Sequence, residues 1–114
     1  MESKFDELPE ISVRELDERM GQGDALLLVD VREPHEREIA DLPKADQLRI
    51  PLGQLLERVN ELEREAPMIL YCRSGSRSGW ATRELRALGF ENVWNLRGGL
   101  LAWKDDVDPS IRAY

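Results

Sequence analysis

The chain has 114 residues, of which 41% are hydrophobic and 34% are charged, and its formal net charge is -7. This length suits one domain with one core, and the acidic balance argues against nucleic-acid binding because phosphates would be repelled. No apolar run is long enough to cross a bilayer and the first residues lack a signal pattern, so we expect a cytoplasmic protein with no membrane partner.

Helix and strand patterns alternate through the first half of the chain. The segment 12–15, Ser-Val-Arg-Glu, has capping-box spacing and predicts a helix that ends near Gly21. The continuous apolar run 25–31 predicts a strand that is covered on both faces. Pro34 predicts the start of a short helix, and residues 47–50 are a weak strand candidate.

The same alternation continues through the second half. Apolar residues spaced by three and four predict a helix over 52–62, and 68–71 predicts another buried strand. A helix is predicted to begin near 76–78 and to run to Leu88, with Leu88 facing inward. Residues 93–96 predict a last strand, which is followed by a short helix through Trp103.

This order of elements predicts an α/β fold. Short apolar strands separated by amphipathic helices imply right-handed crossovers and a mostly parallel sheet of about five strands, with helices on both faces. Ligands in such folds bind at the carboxyl ends of the strands. We expect residues 1–114 to form a single domain whose ends, 1–9 and 106–114, are irregular.

The strongest candidate site is the segment 71–79, Tyr-Cys-Arg-Ser-Gly-Ser-Arg-Ser-Gly. A buried strand delivers Cys72 to its carboxyl end, and the small residues that follow let the backbone curl in front of the sulfur. The unpaired amides at the start of the next helix favour an anion there. We therefore expect a lowered thiol pKa and a reactive thiolate, aided by Arg73 and Arg77.

A buried structural cysteine is the plain alternative, since free cysteine often serves as a small core residue. That alternative predicts apolar residues on both sides, whereas the residues after Cys72 are polar and charged. The chain has one cysteine and one histidine, which make no intrachain disulfide and a poor metal site. We predict neither a metal nor a cofactor.

The length of the loop bears on the type of chemistry. A cysteine-type phosphatase or arsenate reductase needs five residues between its cysteine and the arginine that closes the loop. That position is occupied by Ser78, and Arg77 comes one residue early. A shorter ring suits a terminal sulfur better than a phosphoryl group, so the phosphatase hypothesis ranks last.

Three segments together resemble the signatures of the rhodanese-like family. They are 30–32, Asp-Val-Arg, followed by Glu36; the loop 72–78; and 98–103, Gly-Gly-Leu-Leu-Ala-Trp. The resemblance extends from about residue 11 to residue 103. It implies a three-layer rhodanese-like fold and a sulfurtransferase.

The resemblance also implies roles for individual residues. Cys72 would take sulfane sulfur from thiosulfate or a persulfide donor, hold it as a persulfide, and pass it to a thiol, cyanide or a protein acceptor. Asp30 and Arg32 would shape the pocket floor without taking part in the chemistry. The small anionic donor and the bound sulfur would be held by the loop residues Arg73, Ser74, Gly75, Ser76, Arg77 and Ser78.

Two further features qualify the resemblance. The family usually carries a Gly-His-Ile-Pro-Gly-like stretch where this chain has 40–44, Ala-Asp-Leu-Pro-Lys, which could alter the pocket rim. Segments 32–36, 50–53 and 107–110 resemble the rhodanese-like module at the C-terminus of some sulfur-carrier adenylyltransferases, which suggests a sulfur-carrier protein as acceptor. A non-catalytic interaction module is the other alternative, although inactive relatives typically lose the loop cysteine.

Overall fold

The computed structural model describes residues 8–42 and 47–114. The strands are β1 (Glu10–Ile11), β2 (Leu27–Asp30), β3 (Gln47–Arg49), β4 (Met68–Tyr71) and β5 (Val93–Leu96). The α-helices are α1 (Val13–Gly21), α2 (Leu52–Leu55), α3 (Ser76–Ala87) and α4 (Gly99–Asp106). Two 3-10 helices, Pro34–Glu38 and Leu56–Glu61, complete the secondary structure of this part of the chain.

The five strands form one sheet in the order β1-β5-β4-β2-β3, and every neighbouring pair is parallel. Parallel neighbours need crossover connections, which the helices provide. All four residues of β4, the central strand, are buried. The predicted α/β fold with a parallel five-stranded sheet is confirmed, and it brings the carboxyl ends of β2, β4 and β5 to one edge.

The core has two halves, one on each face of the sheet. Successive side chains of a strand point to opposite faces, so Leu70 and Cys72 join one cluster while Ile69 and Tyr71 join the other. The cluster that contains Cys72 is covered by α2 and α3, and the opposite cluster is covered by α1 and α4. This arrangement explains why the strand sequences are apolar without a polar alternation.

The helices are short, and the first begins as predicted. Ser12 caps α1 by accepting a hydrogen bond from the backbone amide of Glu15 at 3.1 Å. The longest helix, α3, has 12 residues. Within 8–42 and 47–114, none of the helices combines the length and the apolar character that a membrane span requires.

Three details of the predicted elements are wrong. The helix predicted over 52–62 is α2 followed by a 3-10 helix, with non-helical backbone angles at Arg58. Leu88 lies after the end of α3 and is 47% exposed, so it does not face inward. The last helix continues past Trp103 to Asp106. In each case the packing, which the local pattern does not encode, decides where the helix ends.

Candidate functional site

Cys72 lies directly after β4, at the carboxyl edge of the sheet between β2 and β5. Its side chain is fully buried and contributes to the core cluster under α2 and α3. A buried thiol with only apolar neighbours would be inert. The contacts of its sulfur therefore decide whether the structural or the reactive interpretation holds.

The loop after Cys72 turns hydrogen-bond donors toward the sulfur. The amide of Gly75 lies 3.1 Å from Sγ, the amide of Ser78 lies 3.4 Å from it, and the Ser78 hydroxyl also lies 3.4 Å from it. The helix α3 begins at Ser76, so its first turn faces the sulfur with amides that have no partner within the helix. Ser74 and Ser76 have exposed side chains, and the Ser74 backbone amide also acts on the sulfur.

These contacts set the charge state of the thiol. Burial acts to raise the pKa of Cys72, but hydrogen bonds from the hydroxyl and amide of Ser78 and from the amides of Gly75 and Ser74 act to lower it. The donors prevail, and the pKa of the thiol lies below its ordinary value. The direction agrees with the expectation from the sequence, and its physical cause is main-chain and hydroxyl donation.

Two glycines allow the loop to adopt this shape. Gly75 has a φ of 100°, and a Cβ atom there would lie 3.1 Å from the amide nitrogen of Gly98. Gly99 has a φ of 57°, and its Cβ would lie 2.7 Å from the carbonyl oxygen of Arg73. The first amides of α4 hold the loop from behind, because Leu100 and Leu101 donate to the carbonyls of Cys72 and Arg73 at 3.1 and 3.0 Å.

Arg77 is engaged by a carboxylate of the same chain. Its guanidinium makes two hydrogen bonds to Glu36, at 2.7 and 2.9 Å, and Glu36 is 7% exposed. The pairing with Arg77 lowers the pKa of Glu36 to about 2. Arg32, four residues before Glu36, contacts the Glu36 backbone carbonyl at 3.4 Å and forms no ion pair with the Glu36 carboxylate.

Asp30 and Arg32 form a buried ion pair at the end of β2. The Nε and one terminal nitrogen of Arg32 donate to the two Asp30 oxygens at 2.9 and 3.0 Å, and another nitrogen donates to the Ala40 carbonyl at 2.8 Å. Arg32 thereby ties the strand end to the segment before residue 43. Both side chains are therefore part of the polar frame beside the loop, and their role in shaping the pocket floor stays a prediction.

Asp41 occupies the position where the family usually has a histidine. It pairs with Arg49 at 2.7 Å and accepts a hydrogen bond from the Tyr71 hydroxyl at 3.1 Å. Arg49 also contacts Asp30 at 2.8 Å, so it connects Asp41 with the buried ion pair of Asp30 and Arg32. The second departure, Lys44, lies outside the described residues.

Arg73 contacts the last residues of the chain. Its Nε donates to the Tyr114 carbonyl oxygen, and its guanidinium carbon lies 5.4 Å from the centre of the Tyr114 ring. The Tyr114 hydroxyl accepts from Arg32 at 2.9 Å and reaches Glu36 at 3.1 Å. The segment 107–114, which follows α4, thus folds back to the loop, and Lys104 holds it by donating to two of its carbonyls.

The sequence interpretation missed three side chains around the site: Glu36 as partner of Arg77, Tyr114 as partner of Arg73, and Asn95 as partner of Ser78. Asn95 is 1% exposed and its Oδ1 lies 2.5 Å from the Ser78 hydroxyl. A buried asparagine within an apolar strand was the one available signal, because such a group needs a partner. In the part of the chain that the structure describes, no three His, Cys, Asp or Glu side chains form a metal-binding group.

Comparison with known proteins gives consistent matches. A family model described as "Rhodanese-like domain" matches residues 12–106. A protein of Allochromatium vinosum named "Sulfurtransferase" is 37% identical over 94 residues, which are 82% of this chain and 86% of that protein. The maize protein "Adenylyltransferase and sulfurtransferase MOCS3-2" is 38% identical over 94% of this chain, which spans 24% of it. The chain spans about half of some other curated relatives.

Solved structures agree with the fold. The crystal structure of a rhodanese-related protein from Thermoplasma volcanium superposes with a TM-score of 0.76 and 30% sequence identity, over 87% of this chain and 93% of that one. Together with the match to the family model, this similarity confirms the resemblances inferred from the sequence at the level of family and fold.

Proposed function

Because this chain belongs to the rhodanese-like family, we propose that it is a sulfurtransferase that carries sulfane sulfur on Cys72 as a persulfide. One observation carries the proposal: three donors, the amides of Gly75 and Ser78 and the Ser78 hydroxyl, surround a single buried sulfur at the mouth of α3. The relatives named as sulfurtransferases support the general activity.

The first half-reaction loads the enzyme. The Cys72 thiolate attacks the outer sulfur of thiosulfate, the sulfur–sulfur bond of the donor breaks, and sulfite leaves with the bonding electron pair. With a persulfide donor the leaving group is a thiolate instead. The lowered pKa of Cys72 supports this step, since the thiolate is the nucleophile.

The second half-reaction transfers the sulfur from Cys72 to the acceptor. A thiolate, cyanide or a protein acceptor attacks the terminal sulfur, and the electron pair of the breaking bond returns to Cys72. The donors that favour a thiolate also make Cys72 a good leaving group, because a thiol with a low pKa leaves faster. The loop amides that precede α3 would hold the negative terminal sulfur.

The environment of the arginines bears on the donor. Arg77 is paired with Glu36, and Arg73 contacts Tyr114, so the field at the loop comes mainly from backbone amides rather than from free guanidinium groups. An amide ring binds a terminal sulfur irrespective of the rest of the donor. We therefore propose that both thiosulfate and small persulfides serve as donors, with a sulfur-carrier protein or another protein thiol as a candidate acceptor.

The proposal is tested by mass spectrometry of the intact protein and of its peptides after incubation with thiosulfate or with a low-molecular-weight persulfide. We expect a gain of one sulfur on the peptide that contains Cys72, release of that sulfur by cyanide as thiocyanate, and neither event in Cys72→Ser. Gly53→Ala is the control, because Gly53 lies outside the loop and a Cβ atom there would meet nothing within 4 Å.

Three outcomes would contradict the proposal. Wild-type protein that gains no sulfur from either donor would refute it, as would sulfur transfer that survives in Cys72→Ser. Hydrolysis of an aryl phosphate that depends on Cys72, without sulfur transfer, would indicate a phosphatase in place of a sulfurtransferase.

A further inference from the structure

A buried hydrogen-bonded chain leads from the sulfur of Cys72 to the protein surface. The Ser78 hydroxyl lies 3.4 Å from Sγ and 2.5 Å from Oδ1 of Asn95. The Asn95 amide nitrogen donates to the carboxylate of Glu10 at 3.0 Å, and Arg97 pairs with Glu10 at 3.1 Å. The contact with Glu10 assigns the orientation of the amide, so Oδ1 is the atom that faces Ser78.

The Ser78 hydroxyl has a single hydrogen, and it faces two acceptors. It donates either to Sγ of Cys72 or to Oδ1 of Asn95. Cys72 and Asn95 are 0% and 1% exposed, so bulk water does not replace the lost partner of either acceptor. The two hydrogen bonds therefore compete directly.

The charge on the sulfur decides which acceptor wins. A thiolate is a strong acceptor and attracts the hydroxyl hydrogen. A neutral thiol is a weak acceptor, and in that state the hydrogen turns to Asn95 while the hydroxyl oxygen can accept the S–H. The inner sulfur of a persulfide is also uncharged, since the negative charge resides on the terminal sulfur.

We propose that Asn95 is a positioning residue for sulfur transfer. Its Oδ1 accepts the hydrogen bond of the Ser78 hydroxyl whenever Cys72 is a thiol or a persulfide. When Cys72 is a thiolate, the hydroxyl donates to the sulfur instead. This inference rests on the proposed function and adds to it a residue that acts on Cys72 only through Ser78. By stabilising the uncharged sulfur, Asn95 keeps the thiolate from being held too tightly. A thiolate that is held too tightly is a weaker nucleophile.

Glu10 strengthens this competition from the surface. Its carboxylate accepts from the Asn95 amide nitrogen and polarises the amide, which makes Oδ1 a better acceptor. Replacing Glu10 should therefore weaken the hydrogen bond from the Ser78 hydroxyl to Oδ1 of Asn95 without disturbing the core.

The experiment measures the ionisation of Cys72 directly, by the ultraviolet absorbance of the thiolate as a function of pH. The chain has one cysteine, so Cys72→Ser supplies the blank, and no reagent has to reach the buried sulfur. Asn95→Leu removes the competing acceptor at nearly constant volume. The control is Asn92→Leu, since Asn92 lies just before β5 and its side-chain oxygen accepts a hydrogen bond from the Trp94 ring nitrogen at 3.3 Å.

We expect the midpoint pH of the thiolate titration to fall by about half to one pH unit in Asn95→Leu, which is the effect of one hydrogen bond. The midpoint of Asn92→Leu should stay unchanged. Ser78→Ala should raise the midpoint. In the Ser78→Ala background the further change Asn95→Leu should have no effect, because the hydroxyl that connects the two residues is gone.

Other charged groups border the loop: Arg73 and Arg77 on the loop itself, Glu36 from the first 3-10 helix, and Asp30 and Arg32 from the end of β2. All of them are identical in the variants compared, so they shift each midpoint equally. Glu10→Gln is the second variant, placed at the surface in case Asn95→Leu does not fold. The midpoint of its thiolate titration should fall by less than that of Asn95→Leu. The part of the fall that passes through Ser78 should be missing in the Ser78→Ala background, where only the direct effect of removing the Glu10 charge remains.

An unchanged or raised midpoint in folded Asn95→Leu would overturn the inference, as would a shift that persists without the Ser78 hydroxyl. If Asn95→Leu is unfolded, the inference would be overturned by a Glu10→Gln midpoint that does not fall, or by a fall of equal size with and without the Ser78 hydroxyl. The titration needs no turnover. Sulfur transfer without the predicted shifts would refute the role of Asn95 alone, whereas the shifts without sulfur transfer would refute the proposed function.

Discussion

The ion pair between Glu36 and Arg77 gives a prediction about stability and pH. Glu36 accepts two hydrogen bonds from Arg77, one from the Glu33 amide at 2.9 Å and one from the Tyr114 hydroxyl. These contacts, led by Arg77, hold the pKa of Glu36 at about 2 against an ordinary value of 4.5. Replacement by glutamine keeps the shape and removes the charge.

The difference in pKa sets the size of the effect. About 2.5 pH units between the folded and the unfolded state correspond to roughly 3 kcal/mol of stability, since each unit is about 1.4 kcal/mol. The Arg77 side chain is 34% exposed, so solvent screens part of the interaction. We therefore expect Glu36→Gln to lower the free energy of unfolding by about 2 kcal/mol near neutral pH.

The sign of the pH dependence follows from the lowered pKa. Below pH 4.5 the unfolded chain protonates this carboxyl while the folded protein keeps it charged, so acid favours unfolding. The contribution of Glu36 is complete above about pH 4.5 and is lost as the pH falls toward 2. The difference between wild type and Glu36→Gln should therefore shrink across that window.

Urea unfolding followed by tryptophan fluorescence measures both quantities, because Trp103 is buried in the native state. Glu61→Gln is the matched control: Glu61 also pairs with an arginine at 2.7 Å, but the pair with Arg58 is exposed and should add no measurable stability. A difference between wild type and Glu36→Gln that stays constant from neutral pH to pH 2 would refute the reasoning, as would an equal loss in Glu61→Gln.

Two further predictions concern the frame of the loop and its rim. Gly99→Ala should lower the free energy of unfolding by about 2 kcal/mol or more and impair sulfur loading, because its Cβ would collide with the loop carbonyls. The control is Gly53→Ala, since a Cβ atom there would meet nothing within 4 Å. Equal stability of the two variants would contradict the prediction. Tyr114→Ala should remove the ring that lies over the Arg73 guanidinium while keeping the backbone carbonyl that accepts from Arg73 Nε. Loss of the ring should lower the KM for thiosulfate about twofold with kcat unchanged, measured by thiocyanate formation; a raised KM would show that Tyr114 helps to bind the donor.

Local patterns were sufficient for the order of the elements from α1 onward and for the position of Cys72. The apolar run of β4 and the small residues after it specify a buried strand followed by a tight turn within a dozen residues. The cap at Ser12 is equally local, since its partner is three residues away. Loop length and residue size also sufficed to predict that backbone donors would surround the sulfur.

Local patterns failed where packing between elements decides the outcome. The spacing of apolar residues continues through 52–62, yet the backbone changes to a 3-10 helix after Leu55. Leu88 continues the helical stripe of α3, yet the chain turns away at Ala87 and leaves it exposed. The strand β1 has only two residues and exists because β5 offers it an edge, so a pattern of its own could not reveal it.

The sequence by itself determined the fold class, the family and the thiol at the end of a buried strand, because each depends on residues that are close in the chain. Only the tertiary structure decided the partners of the charged and polar groups at the site. Arg77 and Glu36 are 41 residues apart, Arg73 and Tyr114 are also 41 apart, and Ser78 and Asn95 are 17 apart. A parallel sheet brings distant segments to one edge, and no local pattern encodes which side chains meet there.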